Sequence, residues 1–285
     1  VKAVTQWQER LARRLEAARG DRPVDLLFRK GKVANVFTGE LIPETVAIFD
    51  GTVVGFGERE ANEIVDLDGA ILSPGFIDGH VHLESSLLAP MEFARAVLPQ
   101  GTTTIVADPH EIANVAGVAG VQFMLEASEA IGLEAFFMAP SCVPATPMET
   151  AGARLTAGDL KALAQNPRIL GLAEVMNFPG AVHGDPAFLD KFEAYRNRII
   201  DGHAPLLSGA QLDAYLCCGI RSDHECTLLE EAREKLAKGM HIMIREGSHS
   251  RDLQALAPLV TDQTAHRCML VSDDCHPETL LEQGH

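Results

Sequence analysis

The sequence holds six cysteines (Cys142, Cys217, Cys218, Cys226, Cys268 and Cys275) but no CxxC pair. Cys217 and Cys218 are adjacent, an awkward geometry for a bridge, so the set reads as reduced thiols of a cytoplasmic protein. No apolar run approaches the roughly 20 residues that a membrane span needs. Val1 to Gly20 is rich in Arg and Glu without an apolar centre, so a signal peptide is not expected there. Basic charge is also scarce, with 24 Lys and Arg against 40 Asp and Glu and a net charge of −16. Binding to a phosphate backbone leans on clustered Lys and Arg, so nucleic acid is excluded as an expected partner, as is a membrane. What remains is an ordinary globular composition, 46% hydrophobic over 285 residues, enough for one large α/β domain with a small appendage.

Residues 1–20 carry a helix in which Trp7, Leu11, Leu15 and Ala18 recur at helical spacing, with Gly20 as its stop. The apolar stripe predicts a packing face. Residues 21–70 alternate short strands (from Val24, Lys32, Thr45 and Thr52), and Asp50-Gly51 predicts a hairpin turn, giving a small antiparallel β appendage, a portion of a β-sandwich. From residue 71 to 285 near-continuous apolar strands alternate with helices, among them one near Val115 to Ala130. That pattern predicts a parallel sheet covered on both faces. About eight units predict a closed (β/α)8 TIM-like barrel, and no GxGxxG follows the first strand to support an open doubly wound sheet. The sequence stops soon after the last strand, so the final barrel helix and any C-terminal domain are expected to be missing.

Polar residues terminate the apolar runs. The first run ends in His80-Val81-His82, and side chains two apart on a strand share a face, so both imidazoles project together. Later runs end in Asp108-Pro109-His110-Glu111, Glu174, His203, Asp223-His224-Glu225 and Asp273-Asp274. Chemistry in such barrels sits at the carboxyl ends of the strands, so these side chains converge on one mouth. Burying isolated carboxylates and imidazoles costs several kcal/mol per ionised group, and a shared divalent cation resolves that cost for the set. His80, His82, His203 and His224 with Glu174 and Asp273 fit a two-metal site bridged by Glu174. Asp78, Asp108, Asp201 and Asp223 also suit satisfied polar residues or helix caps, and Asp78 and Asp201 are assigned there.

GFIDGHVHLESS, GTTTIVADPHEIANV, GLAEVMNFPG, DGHAP, SDHE, MIREGS and SDDCHPE resemble the adenine deaminases of the amidohydrolase superfamily. The resemblance runs from the first helix to the end of the sequence, and members continue into further C-terminal regions. It implies that His80 and His82 hold one metal and His203 and His224 the other, with Glu174 bridging and Asp273 touching the first metal and shuttling protons. No lysine lies in the Ile169–Glu174 run, where many relatives carry a carboxylated lysine. Cys275 stands where a basic residue is expected after the paired aspartates. Histidine and carboxylate donors without thiolate favour two divalent ions, Mn²⁺ or Fe²⁺, with Zn²⁺ also compatible.

The implied reaction is hydrolytic deamination of adenine to hypoxanthine and ammonia, in a cytoplasmic homo-oligomer acting on a small purine. Asp273 serves as general base and a second acid protonates ring N1. Glu111 or its neighbour His110 is favoured for that second role. Glu84, His110 and Glu225 are candidates for contacts to substrate. Glu84 also suits a cap on the helix after the first barrel strand, and Glu225 a group orienting His224 through its other nitrogen. Arg245 could orient substrate or stabilise the rim. The rivals are a dihydroorotase- or hydantoinase-like cyclic-amide hydrolase of the same superfamily and a metal-free scaffold barrel.

Overall fold

Thr5 opens the first helix, α1 (Gln6–Arg19), by accepting the Gln8 N–H at 3.2 Å while the Gln8 side chain accepts the Thr5 N–H at 2.8 Å. This reciprocal cap satisfies two donors that a helix start leaves unpaired. Gly20 ends the helix in a left-handed conformation (φ +84°). This computed structural model describes residues 5–285, so the first four residues of the expected 1–20 segment lie outside it. The expected packing face is not used as such. Trp7 is 69% exposed and Leu15 50%, whereas Ala17 is buried. Ala17 packs with Val24, Leu27, Ala47 and Phe49, while Arg10 and Arg14 pair with Asp50 at 3.0 and 3.2 Å.

The first of two units, Val1–Pro74, continues through β1 (Val24–Arg29), β2 (Lys32–Asn35), β3 (Glu40–Ile42), β4 (Val46–Phe49), β5 (Thr52–Phe56), β6 (Ala61–Asp66) and β7 (Ile71–Leu72). Asp50 and Gly51 both take positive φ (50° and 65°), the signs a tight two-residue hairpin requires, and join β4 to β5. The strands form two sheets, ordered β5-β4-β1-β6 and β3-β2-β7. They are mixed rather than antiparallel throughout, because β6 returns along the free edge of β1, and β7 along β2, in the same direction as its partner. Ile71 and Leu72 pair with Lys32 and Val33, so the first unit reaches past residue 70.

The second unit, Gly75–His285, strings together β8 (Phe76–His82), α2 (Pro90–Val97), β9 (Thr102–Ala107), α3 (His110–Ala116), α4 (Val118–Ala127), β10 (Glu134–Ala139), α5 (Ala157–Leu163), β11 (Ile169–Val175), α6 (Phe178–Val182), α7 (Pro186–Tyr195), β12 (Ile199–Gly202), α8 (Gly209–Cys217), β13 (Ser222–Asp223), α9 (Leu229–Ala237), β14 (His241–Arg245), α10 (Leu253–Leu256), β15 (Cys268–Val271), β16 (Asp273–Asp274) and α11 (Pro277–Glu282). Parallel ladders run β12-β11-β10-β9-β8-β16 and β13-β14-β15, a half-barrel sheet of the TIM-like α/β kind. Ile105, Phe137, Leu172, Ile242 and Ile244 are buried in the strands, and Phe93, Leu160, Tyr195 and Leu212 pack in the helices around them.

Two expectations fail locally. The single helix near Val115 to Ala130 is two, α3 and α4, broken at Gly117, whose backbone (φ 62°, ψ −147°) leaves the helical region. The final helix, expected to be missing, is present as α11. It starts on Pro277 and buries Leu280, and six residues are too few to display helical periodicity in a sequence. Among the described residues, no helix is long and apolar enough to cross a membrane.

Candidate metal centre

β8 delivers His80 and His82 to the interior, their rings edge-to-face at 4.8 Å, while Val81 turns into the apolar core. Glu174, near the end of β11, lies among the imidazoles. Its Oε1 is 3.7 Å from His82 Nε2 and 3.3 Å from His110 Nδ1. Its Oε2 is 2.5 Å from His203 Nδ1 and 2.9 Å from His224 Nε2. Asp273 approaches from the other side of the first pair, with Oδ1 3.1 Å from His82 Nε2 and 3.6 Å from His80 Nε2. The six residues expected to share a site, drawn from five strand ends, are thus within ligand reach of one another in overlapping groups.

The electrostatics follow from packing acids against imidazoles away from water. Burial disfavours the charge on His224, but Glu174 outweighs it and pushes the imidazolium up to about 9. His110 reaches about 9 in the same way, burial opposed by Asp108. Burial also works against ionised Asp273, yet His80 and His82 hold its carboxyl well below the usual carboxylate range. Glu174 is likewise lowered, burial being outweighed by His224 and His203.

Several buried polar atoms here have no hydrogen-bond partner among the described residues: His80 Nε2, His224 Nδ1, His110 Nδ1 and both carboxylate oxygens of Asp108. His110 Nδ1 stands 3.2 Å from Asp108 Oδ2, but neither oxygen of that carboxylate takes a hydrogen bond, and a buried carboxylate so placed costs several kcal/mol unless a cation compensates it. His82 Nδ1 lies 2.9 Å from the Asp108 carbonyl oxygen; donating there leaves Nε2 with its lone pair toward the cluster. Nitrogen and oxygen donors without thiolate match the divalent ions the residue types suggest. The donor set therefore fits a divalent metal centre. Asp223, Cys226 and Glu231 also lie at ligand spacing, but Lys235 Nζ is 3.0 Å from Asp223 and 2.6 Å from Glu231, so an ammonium already balances those acids.

The remaining candidates divide. His110 joins the cluster through Glu174, while Glu111, in the first turn of α3, belongs to none of the ligand-spaced groups found among the described residues. Glu84 accepts the Ile112 N–H at 3.1 Å, so it caps α3, after the second strand of the unit, and not the helix after the first. The reason is the fold: β8 and β9 are neighbours, and the turn after β8 lies over the start of α3. Glu225 faces His224 Nε2 (3.6 Å), the nitrogen that also meets Glu174, so it does not orient the ring through Nδ1. Arg245 holds it there by an ion pair.

Asp108 and Arg245 stand closer to the cluster than their places in the sequence predict. Asp108 precedes Pro109, which itself occupies the cap position of α3, and this spacing was the available signal that Asp108 is not the cap. Asp78 and Asp201 are satisfied structural groups, as assigned. Asp78 accepts the Ser272 N–H and hydroxyl, and Asp201 the Ser222 hydroxyl at 2.7 Å.

Residues 71–280 match the amidohydrolase family. An adenine deaminase of Syntrophobacter fumaroxidans is 56% identical over 276 residues, covering 97% of this chain and 48% of that protein. Adenine deaminase 2 of Carboxydothermus hydrogenoformans is 51% identical over 270 residues, 95% of this chain and 47% of that protein. The chain thus spans about half the length of the curated relatives it matches. Among solved structures, a triazine hydrolase variant superposes with a TM-score of 0.63 at 16% identity, over 87% of this chain and 71% of that one. N-isopropylammelide isopropylaminohydrolase of Burkholderia multivorans gives 0.58 at 20% identity, over 89% and 75%. With the matched segment spanning both β8 and β16, and so every residue of the histidine–carboxylate cluster, the chain belongs to the amidohydrolase family.

Proposed function

We propose that this chain carries out metal-dependent hydrolytic deamination of adenine to hypoxanthine and ammonia, on the rim of a (β/α)8 barrel. The observation that carries the reading is Glu174, whose two oxygens face different histidine pairs, His82 with His110 and His203 with His224. His80, His82 and Asp273 would hold one divalent ion, His203 and His224 a second, with Glu174 between them. Mn²⁺ or Fe²⁺ suits these donors, and Zn²⁺ is compatible. The chemistry such ions supply when bound is the acidification of a water molecule to a nucleophile at neutral pH.

The protein's own groups do the proton work. Asp273, with Oδ1 toward the histidines, accepts the proton of the attacking water and returns it to the departing amine. Ring N1 must be protonated as C6 becomes tetrahedral, and a positioned acid contributes about 10²–10⁴-fold to such a step. The start of α3 supplies that acid from His110 or Glu111, and His110 is favoured because it faces Glu174 at 3.3 Å. Glu84 steadies the first turn of the same helix, and Glu225 stands beside His203 and His224 at the substrate side. Names carried by the half-identical relatives support adenine as substrate, and six free cysteines suit a reducing compartment such as the cytoplasm.

The test is ammonia release from adenine by the manganese-loaded protein, with chelator-dialysed protein as control and hydantoin ring opening as the competing assay. Hypoxanthine formation that needs metal supports the reading. Hydantoin hydrolysis without adenine turnover replaces it with a cyclic-amide hydrolase.

A further inference from the structure

Arg245 ends β14 and sends its guanidinium beneath three carboxylates. One nitrogen, Nη1, is 3.1 Å from Asp273 Oδ2 and also meets Glu225 Oε1, while Nε donates to Asp252 Oδ2 at 3.1 Å. The side chain is almost wholly buried, and its charge is permanent. The Asp273 backbone is fixed independently of it. Its φ of +60° is a left-handed conformation unusual for a non-glycine residue. Ser272, just before, is pinned through its N–H and hydroxyl to Asp78, and Asp274, just after, is paired in register with His82. The loop after β14 lies so close that a Cβ at Gly247 would meet the Ser272 carbonyl oxygen at 2.0 Å. With the main chain held on both sides, rotation of the carboxylate is the freedom left to Asp273.

We infer that Arg245 is the positioning residue for the reaction: it draws Asp273 Oδ2 and Glu225 Oε1 onto one nitrogen and so keeps Asp273 Oδ1 turned toward His80 and His82. This rests on the deaminase reading for its kinetic consequence, but not for its geometric one. Asp252 fixes the guanidinium from the far side without being a member of the ligand-spaced groups. Removing the guanidinium leaves Asp273 and Glu225, two neighbouring acids, with no cation between them, so the carboxylate turns away from its working orientation.

The experiment compares wild type with Arg245→Met, Arg245→Lys and Asp252→Asn, each loaded with cobalt for its visible spectrum and with manganese for turnover. Partners that orient a metal ligand are commonly worth about 10–100-fold. Arg245→Met is expected to retain its metal, to change the cobalt spectrum, and to lower kcat by about that factor while KM for adenine moves much less. Arg245→Lys should recover part of kcat, and Asp252→Asn should fall between wild type and Arg245→Met in both readouts. An unchanged spectrum and kcat in Arg245→Met overturns the inference. Should that variant fail to fold, an Asp252→Asn protein identical to wild type in both readouts overturns it as well. A wild-type protein that binds cobalt but releases no ammonia from adenine sinks the deaminase reading instead, and the spectra still decide the clamp.

Discussion

His224 Nε2 lies 2.9 Å from Glu174 Oε2, in a pair with almost no exposed surface, while the other nitrogen of the same ring has no hydrogen-bond partner among the described residues. Both groups lie at ligand spacing with His80, in a donor set that fits a divalent cation.

Replacing the shared carboxylate is the most direct probe. Glu174→Gln keeps the shape and removes the charge that faces both histidine pairs. Bound manganese per chain, measured by elemental analysis after loading and desalting, should fall, and its affinity should drop by at least about 10-fold. A variant that retains wild-type metal content and affinity would show that Glu174 is not between the ions.

Asp273→Asn tests the proton shuttle. The amide retains much of the carboxylate's shape but has no basic oxygen for the water proton. Turnover of adenine should fall about 10²–10⁴-fold with metal still bound. Turnover within tenfold of wild type at full metal occupancy removes Asp273 from that role.

Lys235 is buried against Asp223, Glu231 and the Ala204 carbonyl oxygen, and its ammonium is held in the charged form, burial being outweighed by Asp223. Lys235→Met leaves Asp223 buried without its counter-charge, a change that typically costs about 3–5 kcal/mol. Denaturant unfolding should show a lower midpoint with an unchanged slope. A midpoint equal to wild type would mean that water reaches Asp223 once the lysine is gone.

Alkaline stability should depend on Tyr195, whose hydroxyl donates to the Leu160 carbonyl oxygen at 2.7 Å. Burial pushes its phenol from the ordinary 10.0 up to about 12. The folded form therefore keeps a proton that the unfolded chain loses, so stability is intact below pH 10 and declines as pH climbs toward 12. One such group contributes a slope of about 1.4 kcal/mol per pH unit in that window. Tyr195→Phe should flatten the decline measured by urea unfolding across it. Tyr215, also raised by burial, keeps the decline from vanishing. Parallel profiles for variant and wild type would refute the assignment.

Much of the site was legible because its determinants are local. The two-residue period of a strand forces His80 and His82 to one face whatever surrounds them, and the apolar runs mark the strand ends where Glu174, His203, His224 and Asp273 fall. Asp50-Gly51 announced its turn for the same reason, since the backbone signs it needs suit few other residues. Less was legible where a residue's role depends on what packs across from it. The stripe of α1 reads as a buried face from its spacing, but the face that meets Val24, Leu27, Ala47 and Phe49 is the one carrying Ala17.

The sequence by itself determined the alternation of strands and helices, the strand ends that carry imidazoles and carboxylates, and through them a donor set that fits a divalent metal, because each follows from spacing along a few residues. Only the tertiary structure decided which acids are satisfied and which are not. Asp78 is consumed by Ser272, nearly two hundred residues away, whereas Asp108 takes no hydrogen bond and has only the His110 ring beside it, at 3.2 Å. It likewise decided that Arg245 meets Asp273 and Glu225. Arg245 and Asp273 lie on different strands and Glu225 just past the end of a third, so only the packing of these segments together brings their charges within reach.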